Sequence, residues 1–366
     1  MVESIHVLGS RQYGGADRFY VRLVEALNEA GHPALAVNRP GSPVALALRE
    51  SGAPQQHLPL ANGWDLYTAW RLRRLLRSQR PHIVQTYMGR ATRLTRTPKE
   101  LKTVHVARLG GYYKLHGYYQ HADAWIGNTR GIYDYLRSQG LPAERVFLVG
   151  NFVDDPGPPD LAVSAALRHE LGLAAEDLVL FSLGRFIEKK GFHDLLAAFA
   201  RLPAEQEGRR LRLVLAGDGP QRQALEAQAR ALGLGERVVF AGWQNRPGPF
   251  FQLAEAVVCP SRVEPLGNVI LEGWSYGRPV VATDTAGACE LIREGENGLL
   301  CPRQDPLALA ARLAELLATG ADGRTALGEA GRAEVRSRHG RDVVLDAYLD
   351  LYQRLQTLGR RRGAGA

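Results

Sequence analysis

Residues 256–283 constrain the chain more than any other stretch, because they spell strand, loop, helix and strand in succession. Ala256-Val-Val-Cys-Pro-Ser261 is an apolar run ending in Pro and Ser, as a buried strand does. Glu264-Pro-Leu-Gly267 then turns the chain into an amphipathic segment with Val269, Ile270 and Leu271, closed by Gly277 and Pro279. A further strand, Val280 to Thr283, follows. Backbone N–H groups at a helix start are open to an anion, so the place suits a phosphate. Glu264 in the loop and Glu272 inside the helix cannot bind phosphate themselves, since like charges repel. Two carboxylates flanking an anion site make sense as holders of hydroxyls on either side of it. A sugar and a ribose joined by a diphosphate is the ligand that fits.

The same rhythm opens the chain. A strand near residues 4–9 leads through Ser10-Arg-Gln-Tyr-Gly-Gly-Ala-Asp17 into a helix with Phe19, Val21, Leu23, Val24 and Leu27. Gly31 stops it, and Pro33–Val37 is the next strand, so a parallel sheet begins here. Gly14-Gly15 before a helix lets backbone approach a ligand, or is simply a tight turn; the dinucleotide fingerprint Gly-x-Gly-x-x-Gly is absent. Further strands are expected at Pro81–Tyr87, Val104–Arg108, Trp125–Thr129 with its Asn-Thr helix cap, and within Arg145–Asp154. Asp155-Pro-Gly-Pro-Pro159 is the clearest linker, and Leu178–Gly184, the strand and turn Leu211–Pro220, and Val238–Gln244 restart the pattern beyond it.

A chain of 366 residues exceeds one ordinary core and implies two domains. No apolar run approaches the roughly 18 residues of a membrane span, and the N-terminus reads as a strand rather than an export signal. Cys259, Cys289 and Cys301 lack metal-ligand spacing and are expected to stay reduced in a cytoplasm. Charge is lopsided. Up to Val153 there are 20 Lys/Arg against 10 Asp/Glu, or +10, so a total of +8 leaves the remainder at −2. The first half therefore suits an anionic partner. Nucleic-acid motifs are lacking, which favours an anionic membrane surface or a phosphorylated acceptor over nucleic acid. The basic helix with Arg71, Arg73, Arg74, Arg77 and Arg80 carries Trp70, Leu72, Leu75 and Leu76 as an expected core stripe; the alternative is a membrane-surface role.

The setting Pro-Ser-x-x-Glu-Pro-x-Gly…Glu-Gly…Gly-x-Pro-Val-Val-Ala-Thr, with seven residues between Glu264 and Glu272, resembles the retaining family 4 glycosyltransferases (glycosyl transferases group 1) of the bacterial lipopolysaccharide and polysaccharide type. The resemblance implies an α/β GT-B fold, with two Rossmann-like, doubly wound parallel-sheet domains facing a central cleft. Residues 1–155 would bind acceptor, 160–340 would bind donor, and a helix at 341–358 would cross back to the first domain. It implies a metal-independent hexosyltransferase that moves a sugar from a nucleotide-sugar to a hydroxyl of a glycan or lipid-linked acceptor. The expected setting is cell-envelope polysaccharide or lipopolysaccharide core assembly, in the cytoplasm or on the inner face of its membrane. UDP is preferred to GDP because UDP donors predominate in the family.

Residue roles follow the motif. Glu264 is assigned to the sugar hydroxyls, Glu272 to the ribose, and the N–H groups near Leu266, Gly267, Asn268 and Val269 to the diphosphate. Arg185 and Lys190, in the family's Gly-Arg-x4-Lys-Gly spacing, would stabilise the charge of the leaving diphosphate. Gly14 and Gly15 occupy the place of the family's Gly-Gly loop, Gly217 ends a strand bordering the cleft, and Trp243 and Gln244 would cover the nucleobase. Where relatives commonly offer a His beside the donor, His105 and Arg108 both stand here; three apart on a strand, they face opposite ways. Arg108 lies nearer the strand end and is favoured as the catalytic contact, with His105 as a core histidine. No Asp-x-Asp pair and no metal-spaced His/Cys cluster is present, so neither metal nor other cofactor is expected. Two rivals remain: a nucleotide-sugar 2-epimerase on the same architecture, and a non-catalytic nucleotide-sugar binding protein. The tail from Arg360 is expected to be disordered.

Overall fold

Runs of Val, Ile, Leu and Ala set the central strands, and seven of the fourteen strands among the described residues are buried along their whole length, as sheets covered by helices on both faces require. The computed structural model describes residues 1–361, which divide into two bodies, Met1–Phe152 with the chain from Arg341, and Val153–Gly340.

In the first body the strands are β1 (Ser4–Leu8), β2 (Ala34–Asn38), β3 (Gln55–His57), β4 (Ile83–Tyr87), β5 (Val104–Leu109), β6 (Ala124–Gly127) and β7 (Val146–Leu148). Their order across the sheet is β3-β2-β1-β4-β5-β6-β7, all parallel, with Ser4 of β1 opposite both Ala34 and Ile83. The order reverses between β1 and β4. The Gly14-Gly15 helix start, after β1, therefore lies at a switch point, where open α/β sheets bind ligands. The helix Arg341–Leu358 completes this body's core with Val344, Leu345, Tyr348, Leu351, Tyr352 and Leu355. Tyr352 also donates its hydroxyl to Gln85 Oε1 on β4 at 2.8 Å.

The second body has β8 (Leu178–Leu183), β9 (Glu205–Gln206), β10 (Arg209–Ala216), β11 (Val238–Gly242), β12 (Ala256–Cys259), β13 (Val280–Thr283) and β14 (Leu299–Cys301). Six of them form a parallel sheet in the order β11-β10-β8-β12-β13-β14, and β9 hairpins against β10. Here the reversal falls between β8 and β12.

Two expectations need correction. Trp70 is not part of the core stripe of the helix Leu66–Gln79: Leu72, Leu75 and Leu76 are buried, while Trp70 is 54% exposed. Two residues at 100° each put Trp70 about 200° from Leu72, on the opposite side. The tail is also ordered further than expected. Arg360 donates to Pro98 O at 2.8 Å, and the Arg361 N–H donates to Asp123 Oδ1 at 3.0 Å. Residues 362–366 lie outside the described residues.

Candidate functional site

The second sheet brings two loops together at its switch point: Gly184–Gly191 after β8, and Pro260–Gly267 after β12. They are stitched along their backbones. The N–H of Arg262 donates to Lys189 O at 2.8 Å, and that of Val263 to the same oxygen at 3.2 Å. Gly191 has φ +68, and a Cβ there would lie 1.9 Å from Pro260 O, so the two loops can touch only through a glycine. Arg262 then clamps the Asp194 carboxylate through two bonds of 2.9 Å, the bidentate geometry that fixes orientation best. That clamp ties the second loop to the helix Phe192–Phe199.

Within this frame the Lys190 ammonium donates to Glu264 Oε2, and both side chains are mostly sheltered. Ser261 Oγ lies 3.4 Å from the same carboxylate oxygen. Burial, then the negative charge of Glu264, pushes the Cys259 thiol pKa up. Arg185, expected beside Lys190, is exposed on the first loop, whose backbone is fixed where Phe186 N–H donates to Asp218 O at 2.9 Å. Gly217 closes the neighbouring turn after β10; a Cβ on it would fall 1.9 Å from Gly184 O. Lys189 is exposed.

The Pro-Leu-Gly turn delivers the helix Asn268–Ser275. Its cap is Gly267 at φ +90, no side chain caps it, and its first turn has no acidic residue. The positive end of the helix thus meets the loop that carries Glu264 with no carboxylate of its own. The turn is held from outside: Gly287 N–H donates to Glu264 O at 3.0 Å, and a Cβ on Gly287 would lie 2.4 Å from Leu266 C. Glu272, in the second turn of the helix, is 5% exposed. Beside it, Gly273 lets the helix lie close on β12 and β13, where a Cβ would meet Val257 at 3.1 Å and Val280 at 3.3 Å. Leu266 is buried and Val269 partly so. Gln244 donates to Ala241 O at 2.6 Å, and Trp243 beside it is exposed.

The remaining candidates lie in the first body. The helix Gly15–Glu29 has Gly14 as its cap, and Asp17 Oδ2 accepts from Gly14 N–H at 2.7 Å. Burial raises the Asp17 pKa, although that bond works in the opposite direction. His105 and Arg108 do face opposite ways from β5. His105 is buried, with Nε2 3.0 Å from Thr86 Oγ1, and burial holds its pKa well below the ordinary value. Arg108 is buried too. Its Nε donates to the Tyr348 hydroxyl at 2.9 Å, its Nη2 to Asn151 Oδ1, and its guanidinium lies 4.0 Å from the Phe19 ring centre. It ties β5 to the C-terminal helix of the same body.

Sequence reasoning named most of these residues but missed the Lys190–Glu264 pair, the Arg262–Asp194 clamp and Gly287. The Lys-Gly and Gly-x-Pro spacings give no sign of partners 68 to 74 residues away in the chain. Among the described residues, no three His, Cys, Asp or Glu gather as a metal site, and no helix is long and apolar enough to cross a membrane. All three cysteines are free, with Cys289 exposed.

The family model described as "Glycosyl transferases group 1" matches residues 163–334, and that described as "Glycosyltransferase Family 4" matches 13–155. The lipopolysaccharide core biosynthesis glycosyltransferase LpsE of Rhizobium meliloti (strain 1021) is 35% identical over 344 residues, covering 92% of this chain and 95% of that one. A glycosyltransferase structure from Rickettsia africae ESF-5 superposes with TM-score 0.82 at 17% identity, over 96% of this chain and 98% of the other. Anabaena Alr3699/HepE in complex with UDP-glucose does so with TM-score 0.80 at 20% identity, over 96% and 100%. Both structures share the fold. The 2-epimerase reading finds no support among these matches.

Proposed function

We propose, for a chain that belongs to the family 4 glycosyltransferases (glycosyl transferases group 1) and has their GT-B fold, a retaining transfer from a UDP-sugar to a membrane-held glycan acceptor. The observation that carries the donor site is the Lys190–Glu264 pair beside the glycine-capped start of the helix Asn268–Ser275, at the sheet's switch point. In this reading the diphosphate sits over the N–H groups near Leu266, Gly267, Asn268 and Val269, with Arg185 and Lys190 as its cations. Glu264 takes sugar hydroxyls and Glu272 the ribose, while Gly217 and Gln244 line the nucleotide's place. Within the first body, Gly14 and Gly15 start the helix after β1 at that sheet's own switch point, and Arg108 fixes β5 to the helix Arg341–Leu358.

The bond from the anomeric carbon to the diphosphate oxygen breaks as the acceptor oxygen bonds on the same face. The acceptor's proton passes to the departing phosphate oxygen. Charge grows on that phosphate in the transition state, where preformed cations and helix N–H groups stabilise it without a metal.

The UDP-glucose complex of the HepE relative in fold supports a UDP-sugar as the donor, and the name of LpsE supports lipopolysaccharide core as the acceptor class. The protein would then work on the cytoplasmic face of the membrane. The test is thermal stabilisation by UDP, GDP, ADP and their sugar conjugates with EDTA present, followed by NMR of the product anomer. Stabilisation by UDP that vanishes in Lys190→Ala and Glu272→Ala supports the reading. No shift with any diphosphate, or an inverted product, overturns it.

A further inference from the structure

Three arginines gather at one corner of the first sheet, each from a different strand end. Arg11 follows β1, Arg39 is the residue after β2, and Arg90 lies in the first turn of the helix Met88–Leu94 after β4. The strands β2, β1 and β4 are neighbours, and the order reverses between β1 and β4. The three side chains therefore stand at carboxyl ends of parallel strands beside the switch point, on the side where open α/β sheets hold ligands. Backbone carbonyls fix two of them. Arg39 Nη1 donates to Leu60 O at 2.6 Å, and Arg90 Nη1 donates to the same oxygen and to Gly9 O, at 3.0 Å each. Two guanidinium groups thus share one acceptor and lie side by side despite their charge.

The backbone around them is bent to hold this arrangement. Leu60 is buried, its N–H donates to Thr68 Oγ1 at 3.0 Å, and its φ is +45, a left-handed conformation that costs a leucine energy. Met88, which turns β4 into the helix of Arg90, is left-handed too, at φ +65. No acid balances the cluster: among the described residues, Arg11, Arg39 and Arg90 form no ion pair, and the carbonyls of Gly9 and Leu60 are the hydrogen-bond partners of the last two. Asp65, whose charge reaches Arg39, is committed elsewhere, accepting from Thr68 N–H and Ala61 N–H at 2.9 Å each and from Thr68 Oγ1 at 2.7 Å. Burial, then the charges of Arg11 and Arg90, lowers the Arg39 pKa, the mark of cations crowded together.

Like charges held together by strained backbone are costly unless an anion offsets them. Guanidinium forks meet phosphate oxygens two at a time, and three positive charges suit the dianion of a phosphate monoester better than a single carboxylate. We propose that Arg11, Arg39 and Arg90 form a subsite for a phosphoryl group carried by the acceptor glycan, so that the enzyme selects a phosphorylated sugar. Leu60 O holds the Arg39 and Arg90 forks in place before the ligand arrives, and exposed Arg11 closes on it from β1. The inference deepens the transferase reading and rests on it for calling the ligand an acceptor; phosphate binding itself is measured without donor.

Glucose 1-phosphate, glucose 6-phosphate, glucuronic acid and glucose are titrated into the full chain by calorimetry, and phosphatidic acid vesicles are tested by sedimentation. A sugar phosphate should bind, more weakly at high salt, and glucose should not. Arg11→Gln and Arg39→Gln should each raise the Kd by about tenfold or more. Arg39→Lys, which keeps the charge but not the fork, should fall between Arg39→Gln and the unaltered protein. Arg11 is exposed and holds no other group, so its variant keeps the fold, and Tm checks the others. Failure of both sugar phosphates to bind overturns the proposal. So does equal binding of glucuronic acid, or an affinity unchanged in all three variants at unchanged Tm. Binding of phosphatidic acid vesicles alone overturns it as well, by giving the arginines to a lipid headgroup. Thermal stabilisation by UDP is read in parallel on the same samples and alone decides the donor reading.

Discussion

Lys190 and Glu264 form an ion pair 74 residues apart in sequence, linking the loops that follow β8 and β12. The pair sets both side chains before any ligand arrives. Neither can be removed without leaving the other's charge half-sheltered, which is expensive. We expect Lys190→Ala to lower kcat/KM by about 10²–10³-fold, as loss of a transition-state charge partner does. Glu264→Gln should have a comparable effect. The double variant should lose much less than the product of the two, with a coupling of about 1 kcal/mol or more. Steady-state kinetics of the three variants decide; multiplicative losses would mean that the two act independently.

Gly191 and Gly31 give a matched pair of substitutions. Both have positive φ, +68 and +75, but nothing lies within 4 Å of a Cβ on Gly31, whereas Pro260 O would lie 1.9 Å from one on Gly191. Gly31→Ala should cost about 1 kcal/mol from backbone strain alone. Gly191→Ala must also part the two loops, so about 3 kcal/mol or more is expected, with loss of donor binding. Urea unfolding of both variants measures the difference.

Much of this was legible beforehand. Apolar runs marked β8, β12 and β13 almost to the residue, because a strand buried on both faces carries a near-continuous apolar run rather than an alternation. Glu264 and Glu272 were found through the turn and helix start between them, both local features. The Lys190–Glu264 pair and Gly287 under Leu266 were invisible, since only the folded sheet brings those loops together. Trp70 misled because composition records that a helix is apolar but only the angle about its axis tells which side.

Two buried histidines, His6 and His105, and the half-buried His121 should make the protein sensitive to acid. Burial lowers His6 to about 3 and His121 to about 4, and holds His105 well below its ordinary value. The unfolded chain takes up these protons near pH 6.5, and the folded one refuses them until far lower. Stability is therefore full above about pH 6.5 and falls below it, by up to about 1.4 kcal/mol per pH unit for each histidine. His121 Nε2 faces Thr92 O and Thr95 O at 2.9 and 3.1 Å, a place the amide of Gln could fill. His121→Gln should flatten the fall between about pH 6 and pH 4.5 by roughly a third. Unfolding midpoints across that range test it; an unchanged slope would refute the assignment.

Arg108 is expected to report on stability before activity. With Tyr348 and Asn151 as partners beneath a sealed surface, Arg108→Ala should cost about 2–4 kcal/mol. A variant of unchanged stability whose KM for donor rises would instead place the side chain in contact with substrate.

The first body borrows its last helix from the far end of the chain. On the ribosome this inverts the usual order of folding. The segment Val153–Gly340 is contiguous and can close as soon as it has emerged. The earlier-made portion must wait, with Phe19 and Phe152 lacking the ring of Tyr348, until Arg341–Leu358 has also been made. A nascent chain stalled near residue 340 would therefore carry an unfinished N-terminal portion next to a finished second one, and would engage chaperones through its oldest residues rather than its newest.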